Sequence, residues 1–291
     1  MVRNNPRISV VIPCYNTGAS LSRCLEAVQN QSLARDGYDV IVVDNNSSDD
    51  TPSIARRYPG VELLTERKQG SYAARNLGIR SARGELLAFT DPDCVPSPDW
   101  LASIDSAHRS TGARVILGRR DYRTESEPLR FLAEFESEKA EYVGSKKRGD
   151  LYYGYTNNMA VHRSLFDELG LFPEVGRGGD TLFVQRVVQH LSVDVIRFDD
   201  SIRVTHLEVA SLVSYYGKRF IRGRSNYRLP FISGYRPLRH AERVDVFNRL
   251  RKRKRLSPIA SVYLFALLVV GAVFYGAGHA YAKLIDRGTE L

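Results

Sequence analysis

Continuous apolar runs alternate with helical periodicities along the first half of the chain. The runs ISVVIP (Ile8–Pro13) and YDVIVVD (Tyr38–Asp44) are typical of fully buried strands. Between them, apolar residues recur at helical spacing at Leu21, Cys24, Leu25 and Val28. The runs VELLTE and ELLAFTD are separated by SYAARNLGIRSA, which has a helical pattern. Strands separated by helices predict an α/β fold with a mainly parallel central sheet flanked by helices.

Four other stretches predict further elements. SSDDTPSIARRY predicts a helix with acidic residues in its first turn. EPLRFLAEFESEKAEYVG predicts a longer helix, and GRGGDTLFVQRVVQHL predicts one that begins near Thr181. VDVIRFDDSIRVTH has the pattern of a pair of strands that ends at His206.

The C-terminal region has a different pattern, because Ile259 to Ala282 contains no charged residue. A helix of this length reaches about 35 Å, enough to cross a bilayer core of about 30 Å. The block RLRKRKRL precedes it, and such blocks stay on the cytoplasmic side. The pattern predicts a single-pass inner-membrane protein whose bulk faces the cytoplasm. The alternative is a buried core helix, since His279 and several small residues interrupt the apolar run.

Composition adds a basic segment to this organisation. The 291-residue chain is 43% hydrophobic and has a net charge of +9. Arg236–Arg255 holds nine Lys or Arg against two acidic residues, a net charge of +7. Because the rest of the chain is close to neutral, we expect no nucleic-acid partner. Cys14, Cys24 and Cys94 have no CxxC spacing and are predicted to be free and buried.

Polar residues follow three of the predicted strands. In parallel sheets, ligands bind beyond the carboxyl ends of the strands, so these residues should line one crevice. They are Pro13 to Asn16, Asp44 to Ser47, and Asp91 to Asp93. The chain has no GxGxxG after the first strand and no GxxxxGK[ST], which argues against dinucleotide-dependent oxidoreductases and P-loop enzymes.

The pair Asp91 and Asp93 has two interpretations. Asp and Pro are common turn formers, so Asp-Pro-Asp can simply end a strand. Alternatively, the two carboxylates converge on Mg²⁺ or Mn²⁺ that carries a phosphate-bearing substrate. A nucleotide site without a glycine-rich phosphate loop needs another way to hold a diphosphate, which favours the cation.

Five ordered motifs together resemble family 2 glycosyltransferases of the GT-A fold. They are SVVIPCYN, VIVVDNNSSDDT, GSYAARNLGIRSARGELLAFTDPDC, NNMAVHRSLFDELGLF and GGDTLF, and they extend over roughly Ile8 to Tyr227. The resemblance implies a nucleotide site, a metal site and a catalytic base. The implied nucleotide-binding residues are Pro13, Tyr15, Asp44, Asn45, Arg75 and Asp91, with Tyr15 beside the base.

The resemblance also assigns the chemical roles. Asp91 and Asp93 match the DxD motif that binds the metal and the donor diphosphate. His206 matches a histidine that completes the metal or diphosphate site in many relatives. Asp180 matches the general base of the Glu-Asp motif. Asn157, Asn158 and Gly179 are candidates for an acceptor or sugar pocket, and the two asparagines have the alternative of capping a turn.

Three departures from the family pattern affect what we expect. Asn45 stands where many members have a second Asp, so base recognition can differ from the usual uridine contact. Gly179 stands where the Glu of the Glu-Asp pair is common. The QxxRW motif of processive synthases is absent, which favours transfer of one sugar per visit over polymerisation.

The expected activity is transfer of a sugar from a nucleotide-diphosphate donor to an acceptor hydroxyl, with inversion and dependent on Mg²⁺ or Mn²⁺. The expected acceptor is a lipid-linked molecule or a glycan, in envelope glycan, exopolysaccharide or glycolipid synthesis. A nucleotidyltransferase-like enzyme is one alternative, although PCYNTGAS lacks the Gly/Arg/Lys-rich loop expected there. A non-catalytic membrane scaffold is another, although the intact DxD argues against it.

The predicted domains divide the chain in four. Residues 1–230 form the GT-A domain and residues 231–257 a basic juxtamembrane segment. Residues 258–282 form the transmembrane helix and residues 283–291 a short tail.

Overall fold

A computed structural model describes residues 5–122, 125–207, 209, 211–227 and 234–289 of the chain. These residues form two compact units. Unit 1 comprises residues 1–120 and 153–207, and unit 2 comprises residues 121–152 and 208–291. Residues 121–152 thus group with the C-terminal part of the chain. The predicted domain boundary between residues 230 and 231 lies outside the described residues, and the four-part division stays a prediction.

The strands and helices follow one another along both units. The strands are β1 Ile8–Cys14, β2 Tyr38–Asp44, β3 Val61–Thr65, β4 Leu86–Thr90, β5 Cys94–Pro96, β6 Val115–Tyr122, β7 Asn158–His162 and β8 Ile196–His206. The helices are α1 Gly18–Gln29, α2 Thr51–Arg56, α3 Ser71–Ser81, α4 Trp100–Thr111, α5 Glu127–Lys146, α6 Ser164–Leu169, α7 Gly179–His190, α8 Leu212–Ser225, α9 His240–Arg253 and α10 Pro258–Thr289.

One eight-stranded sheet has the order β3-β2-β1-β4-β7-β6-β8-β5. The pairs β3–β2, β2–β1 and β1–β4 are parallel. The pairs β4–β7, β6–β7 and β5–β8 are antiparallel. The predicted α/β fold is confirmed, and the sheet is mixed, with its parallel part made by the strands of the first 90 residues. In this part Cys14 pairs with Asp44, so the polar exits of β1 and β2 lie side by side.

The apolar runs are buried as their patterns predict. All seven residues of β1 and all five of β4 are buried. Leu21, Cys24, Leu25 and Val28 face the sheet from α1 and are fully buried. The three cysteines are free and buried, as predicted. Burial of continuous apolar strands on both faces is the expected arrangement for a sheet covered by helices on both sides.

Two element predictions are corrected by the structure. The sequence VDVIRFDDSIRVTH forms one long strand, β8, after a single 3₁₀ turn at Val193–Val195. The polar residues in its middle resemble a turn, but Asp199 accepts hydrogen bonds from the Ser201 backbone and hydroxyl within an extended chain. The helix α2 has no acidic residue in its first turn, because Asp50 is its N-cap residue.

Unit 2 buries acidic side chains of α5 against basic ones of α8 and α9. Glu136 lies 3.2 Å from Arg219, and Glu138 lies 3.0 Å from Arg249. Burial opposes ionisation of Glu136, but the surrounding Lys139, Arg219 and Arg222 lower its pKa overall. Within the basic segment, Arg236, Arg249, Arg253 and Lys254 form ion pairs with acidic side chains of this unit, which offset part of its positive charge.

The C-terminal helix α10 packs closely on α8. A Cβ atom added at Gly223 would lie 2.0 Å from the Tyr275 carbonyl oxygen, and one at Gly278 would lie 2.0 Å from that of Phe220. Glycine is thus needed at both positions for this close approach. Within α10, Pro258–Ile285 contains an 18-residue stretch with a mean hydropathy of 2.2, of which 22% is buried, so the helix is long and apolar enough to cross a membrane. The alternative of a buried core helix does not agree with this exposure.

Candidate active site

Two left-handed asparagines shape the loops that follow β1 and β2. Asn16 and Asn46 have φ values of 51° and 65°, a conformation that asparagine tolerates better than most residues. The Asn16 side chain accepts a hydrogen bond of 2.8 Å from the Ser48 backbone, which ties the two loops together. Tyr15, the residue after β1, is 52% exposed, and Asp44, the last residue of β2, is buried. An exposed ring just after β1 and a buried carboxylate at the end of the neighbouring β2 are compatible with the predicted nucleotide-base site.

Pro13 and Asn45 have structural roles in the same region. Pro13 is buried in β1, where it pairs with Val43. The Asn45 amide donates to the carbonyls of Glu66 and Lys68, each at 2.8 Å, and accepts from the Gly70 backbone at 2.7 Å. All these groups belong to the loop before α3. Both positions stay predicted nucleotide-binding residues, but the side chain of Asn45 is already hydrogen-bonded to the backbone of this loop.

Arg75 and Asp91 form an ion pair where β4 ends. The Arg75 guanidinium lies 2.5 Å from Asp91 and is 6% exposed at its side chain. Arg75 Nε is buried and has no hydrogen-bond acceptor among the described residues. A buried unsatisfied donor costs about 1–3 kcal/mol, which an anionic ligand would offset. The buried, unsatisfied Nε of Arg75 therefore supports the assignment of this residue to the nucleotide site, which the family resemblance implies.

Asp93 and His206 face each other across the pairing of β5 with β8. Asp93 Oδ2 lies 3.4 Å from His206 Nδ1, and both side chains are largely buried. Cys94 completes a group whose possible ligand atoms lie within 4.8 Å of one another. Burial raises the pKa of the Cys94 thiol well above its usual value. Thiolate is a soft ligand that suits Zn²⁺ and Cu⁺ better than Mn²⁺. The carboxylate of Asp93 and the imidazole of His206 fit Mn²⁺. Asp91 lies outside this group and is paired with Arg75.

Asp180 lies in the first turn of α7 and not at its N-cap, which is Gly178. Its carboxylate accepts from the backbone N–H groups of Thr181 at 2.8 Å and Thr156 at 3.2 Å. Burial raises the pKa of Asp180 even though Arg75 and these hydrogen bonds act in the opposite direction. A raised pKa makes this carboxylate a stronger base than an exposed aspartate.

Glycines let the backbone close around Asp180. A Cβ at Gly179 would lie 2.5 Å from the Pro173 carbonyl oxygen and 3.0 Å from the Tyr72 ring. A Cβ at Gly154 would lie 2.5 Å from the Asp180 carbonyl oxygen. Gly179 thus has a packing role that is independent of its predicted place in a sugar pocket.

Tyr72 is a site residue that the sequence did not single out. Its ring is 5% exposed, and its hydroxyl lies close enough to the Asp180 carboxyl to lower the pKa of that group. The guanidinium of Arg75, one helical turn further along α3, lies 5.5 Å from the centre of the ring. Helical spacing of an aromatic and a basic residue within SYAAR was the available signal, but such pairs are common on helices.

The two candidate asparagines differ in position. Asn158 is fully buried; its amide donates to the carbonyls of Arg119 and Ile202, and its oxygen accepts from the Trp100 indole at 2.8 Å. Both amide hydrogens are used and the side chain is out of reach of a ligand, so we do not carry it into the proposed pocket. Asn157 Oδ1 is buried and has no hydrogen-bond donor among the described residues, which keeps it a candidate.

Unit 1 thus holds a pair of carboxylates after β4, a buried arginine and a second, basic carboxylate at α7. Such a site can bind an anion with a cation and remove a proton from a hydroxyl group. The connection from Asp91 through Arg75 and Tyr72 to Asp180 places both capabilities around one helix, α3.

The chain is similar in sequence to proteins of one known family. Residues 9–170, more than half of the chain, match the model of the family described as Glycosyl transferase family 2. The chain is 34% identical to Glycosyltransferase AglE of Haloferax volcanii over 64% of its own length and 62% of the relative's. It is 36% identical to Poly(ribitol-phosphate) beta-glucosyltransferase of Bacillus spizizenii over 39% of its length and 19% of the relative's. The chain therefore spans less than two thirds of either relative.

The fold is shared with solved glycosyltransferases. The mannosyltransferase PcManGT from Pyrobaculum calidifontis, solved in complex with GDP-Man and Mn²⁺, superposes with a TM-score of 0.60 and 21% identity. This alignment covers 99% of our chain and 80% of PcManGT. The predicted GT-A architecture is thereby confirmed, and with the extent of the sequence match it follows that the chain belongs to glycosyl transferase family 2.

Proposed function

We propose that this protein transfers a single sugar from a nucleotide-diphosphate donor to an acceptor hydroxyl, with inversion at the anomeric carbon. The observation that carries the proposal is the arrangement around α3, where Arg75 contacts Asp91 and Tyr72 contacts Asp180. Donor-side and acceptor-side groups are therefore one helical turn apart. Family membership supports the reaction class, and the GDP-Man bound to PcManGT supports the donor class.

Asp93 and His206 would hold a divalent cation, Mn²⁺ or Mg²⁺, with Asp91 as the predicted third ligand. When bound, the cation would neutralise charge on the departing diphosphate as a Lewis acid. Arg75 would add a donor through its buried, unsatisfied Nε. Its ion pair with Asp91 would hold that carboxylate in one orientation before the donor arrives.

Asp180 would act as the general base. Its two backbone hydrogen bonds fix the direction of the carboxylate, and its raised pKa increases its affinity for the acceptor proton. Attack by the acceptor from the face opposite the leaving diphosphate would invert the anomeric carbon. Asn157 would line the adjacent pocket, with a buried oxygen able to accept from a hydroxyl group.

We further propose that α10 attaches the enzyme to a membrane, where a lipid-linked or envelope-glycan acceptor would be available. Its exposed apolar residues include Ile259, Val262 and Leu284, each at least 69% exposed. The guanidinium of Arg219 lies 5.7 Å from the Tyr275 ring centre. A charged side chain at this depth of a spanning helix is costly, so a spanning placement would require α8 to separate from α10. The single-pass topology with a cytoplasmic catalytic domain stays a prediction.

The test of the donor site is the variant Asp93→Ala. We expect it to abolish the Mn²⁺-dependent part of nucleoside-diphosphate affinity in calorimetric titrations while the melting temperature stays close to that of the wild type. The exposed Asp99→Ala is the matched control, because Asp99 has no side-chain capping bond at the start of α4. Wild-type affinity that is the same in Mn²⁺ and in chelator would contradict the proposal.

A further inference from the structure

Three metal-ligating side chains lie together outside the proposed active site. Glu85 precedes β4, His108 belongs to α4 and His162 ends β7. Their possible ligand atoms all lie within 4.8 Å of one another. We propose that they bind a borderline transition-metal ion of the Zn²⁺ class, as a second cation site distinct from that of Asp93 and His206.

The position of this cluster separates it from the active site. Leu86, at the start of β4, pairs with His162, at the end of the antiparallel β7. The proposed active site begins at the opposite end of β4, after Thr90. Five strand residues at about 3.3 Å each separate the two ends. A metal here would therefore join β4, α4 and β7 without touching the donor.

The hydrogen bonds of His108 determine which of its ring nitrogens is free. Its Nδ1 lies 2.9 Å from the Ala113 carbonyl oxygen. A carbonyl only accepts, so Nδ1 carries the proton and donates, which leaves the Nε2 lone pair as the ligand in the neutral ring. Metal-binding histidines typically donate their other N–H to such a backbone carbonyl.

The second histidine is positioned in parallel with the first. The His108 and His162 rings stack with centroids 5.3 Å apart and planes 19° apart. His162 Nδ1 lies 2.7 Å from the Ser164 hydroxyl oxygen and accepts a hydrogen bond of 3.4 Å from the Ser164 backbone N–H. In the metal-free ring the proton is therefore on Nε2, facing Glu85. Binding of a metal at Nε2 moves this proton to Nδ1, where the Ser164 hydroxyl oxygen can accept it. Both Nε2 atoms point toward the same carboxylate oxygen, Glu85 Oε1, at 3.1 Å from His162 and 4.0 Å from His108.

These separations are close to those of a zinc site. Ligand atoms about 2.0–2.1 Å from a tetrahedral ion lie about 3.3 Å apart, so separations of 3.1 Å, 4.0 Å and at most 4.8 Å need adjustments of no more than about 1.5 Å. In the neutral ring the His108 Nε2 lone pair faces a carboxylate oxygen, an arrangement of two acceptors that a cation between them would relieve. Two imidazoles and one carboxylate favour Zn²⁺ over Mg²⁺, which prefers oxygen ligands.

The surroundings hold the carboxylate without consuming the ligand atom. Arg7 contacts Glu85 through the other oxygen, Oε2, and is itself paired with Asp105 at 2.8 Å. The competing interpretation is that Arg7, Glu85 and His162 are only a surface ion-pair network. That interpretation does not explain why the second imidazole, His108, presents its free nitrogen to the same oxygen.

The experiment uses the full-length protein in detergent, treated with chelator and then titrated with Co²⁺ and Zn²⁺. The reference protein carries Asp93→Asn, so that the other cation site is disabled. We expect about one Co²⁺ per chain with the absorption of a tetrahedral complex. At 100-fold excess over Kd, Zn²⁺ should raise the melting temperature by about 5 °C, whereas Mg²⁺ should not.

Two variants and one control test the assignment in this background. Glu85→Gln, at an exposed position, should weaken Zn²⁺ binding about 10-fold or more without changing the melting temperature of the metal-free protein. His108→Gln should abolish the tetrahedral Co²⁺ spectrum, whereas His190→Gln on α7 should leave it unchanged. Equal Zn²⁺ stabilisation in the reference protein and in both cluster variants, or none in the reference protein, would overturn the proposal.

Discussion

Replacing Asp180 by asparagine tests the proposed base, and the structure predicts two separate effects. The carboxylate accepts two backbone N–H groups, those of Thr181 and Thr156. An asparagine has one accepting oxygen and one donating amino group, so one backbone N–H must face another donor. We expect the amino group to lie toward Thr156, whose hydrogen bond is the longer one at 3.2 Å.

The two effects have different magnitudes. One buried donor left without an acceptor lowers the free energy of unfolding by about 1–3 kcal/mol. Removing a charge that burial disfavours offsets part of this loss, since burial raises the pKa of Asp180. Starting from a stability of at least about 5 kcal/mol, at least about 2 kcal/mol remains, so nearly all molecules stay folded. Loss of the base should lower the transfer rate about 10²-fold or more, which unfolding cannot explain.

The assay measures donor affinity, product formation and denaturant unfolding on one preparation of Asp180→Asn. We expect donor affinity to change little. Asp167→Asn, at an exposed position in α6, is the matched control for removing one carboxylate charge. If donor binding falls in parallel with the rate, Asp180 belongs to the donor site. If more than a tenth of the wild-type rate survives, Asp180 only satisfies the backbone at the start of α7.

Two further predictions follow from neighbouring contacts. Tyr72→Phe removes a hydroxyl that lowers the pKa of Asp180, so the acidic limb of the pH–rate profile should move to higher pH with little loss of rate at its plateau. Tyr58→Phe is the control for removing a tyrosine hydroxyl elsewhere. A uniform loss of rate at every pH would indicate only a packing role for Tyr72. Val262 and Val273 are 70% and 64% exposed on α10, and replacing both by glutamate should release the protein from sedimented anionic vesicles without lowering its melting temperature. Val244→Glu on α9 is the control and should leave the protein bound to the vesicles. Unchanged sedimentation of the α10 variant would exclude this face as the attachment surface.

The parallel part of the fold could be predicted from the sequence because its signal is local. Apolar runs such as Ile8–Pro13 and Tyr38–Asp44 are long enough to require burial on both faces, and both are strands. The direction of β7 could not be predicted, since antiparallel pairing with β4 depends on residues about 70 positions apart. The extended middle of β8 was missed because Asp-Asp-Ser is typical of turns and only its tertiary contacts keep it in the sheet.

For the candidate site, sequence patterns identified residues better than they identified contacts. Asp93 and His206 are brought together by the pairing of β5 with β8. The side chain of Asn158 is occupied by three buried hydrogen bonds. The amide of Asn45 holds the loop before α3. An asparagine at a strand exit has the same pattern whether it binds a ligand or a backbone, so only the fold distinguishes the two.

The close spacing of Tyr72 and Arg75 on α3 has a consequence for how the two sides of the site interact. Arg75 is the cation beside Asp91, and it also lowers the pKa of Asp180. A donor diphosphate that binds Arg75 would screen part of this effect, and the pKa of Asp180 would then rise. The base would hold a proton more strongly once the donor is bound, which is when an acceptor hydroxyl has to be deprotonated. This coupling requires a single rigid element that contacts both carboxylates, and the buried helix α3 provides it.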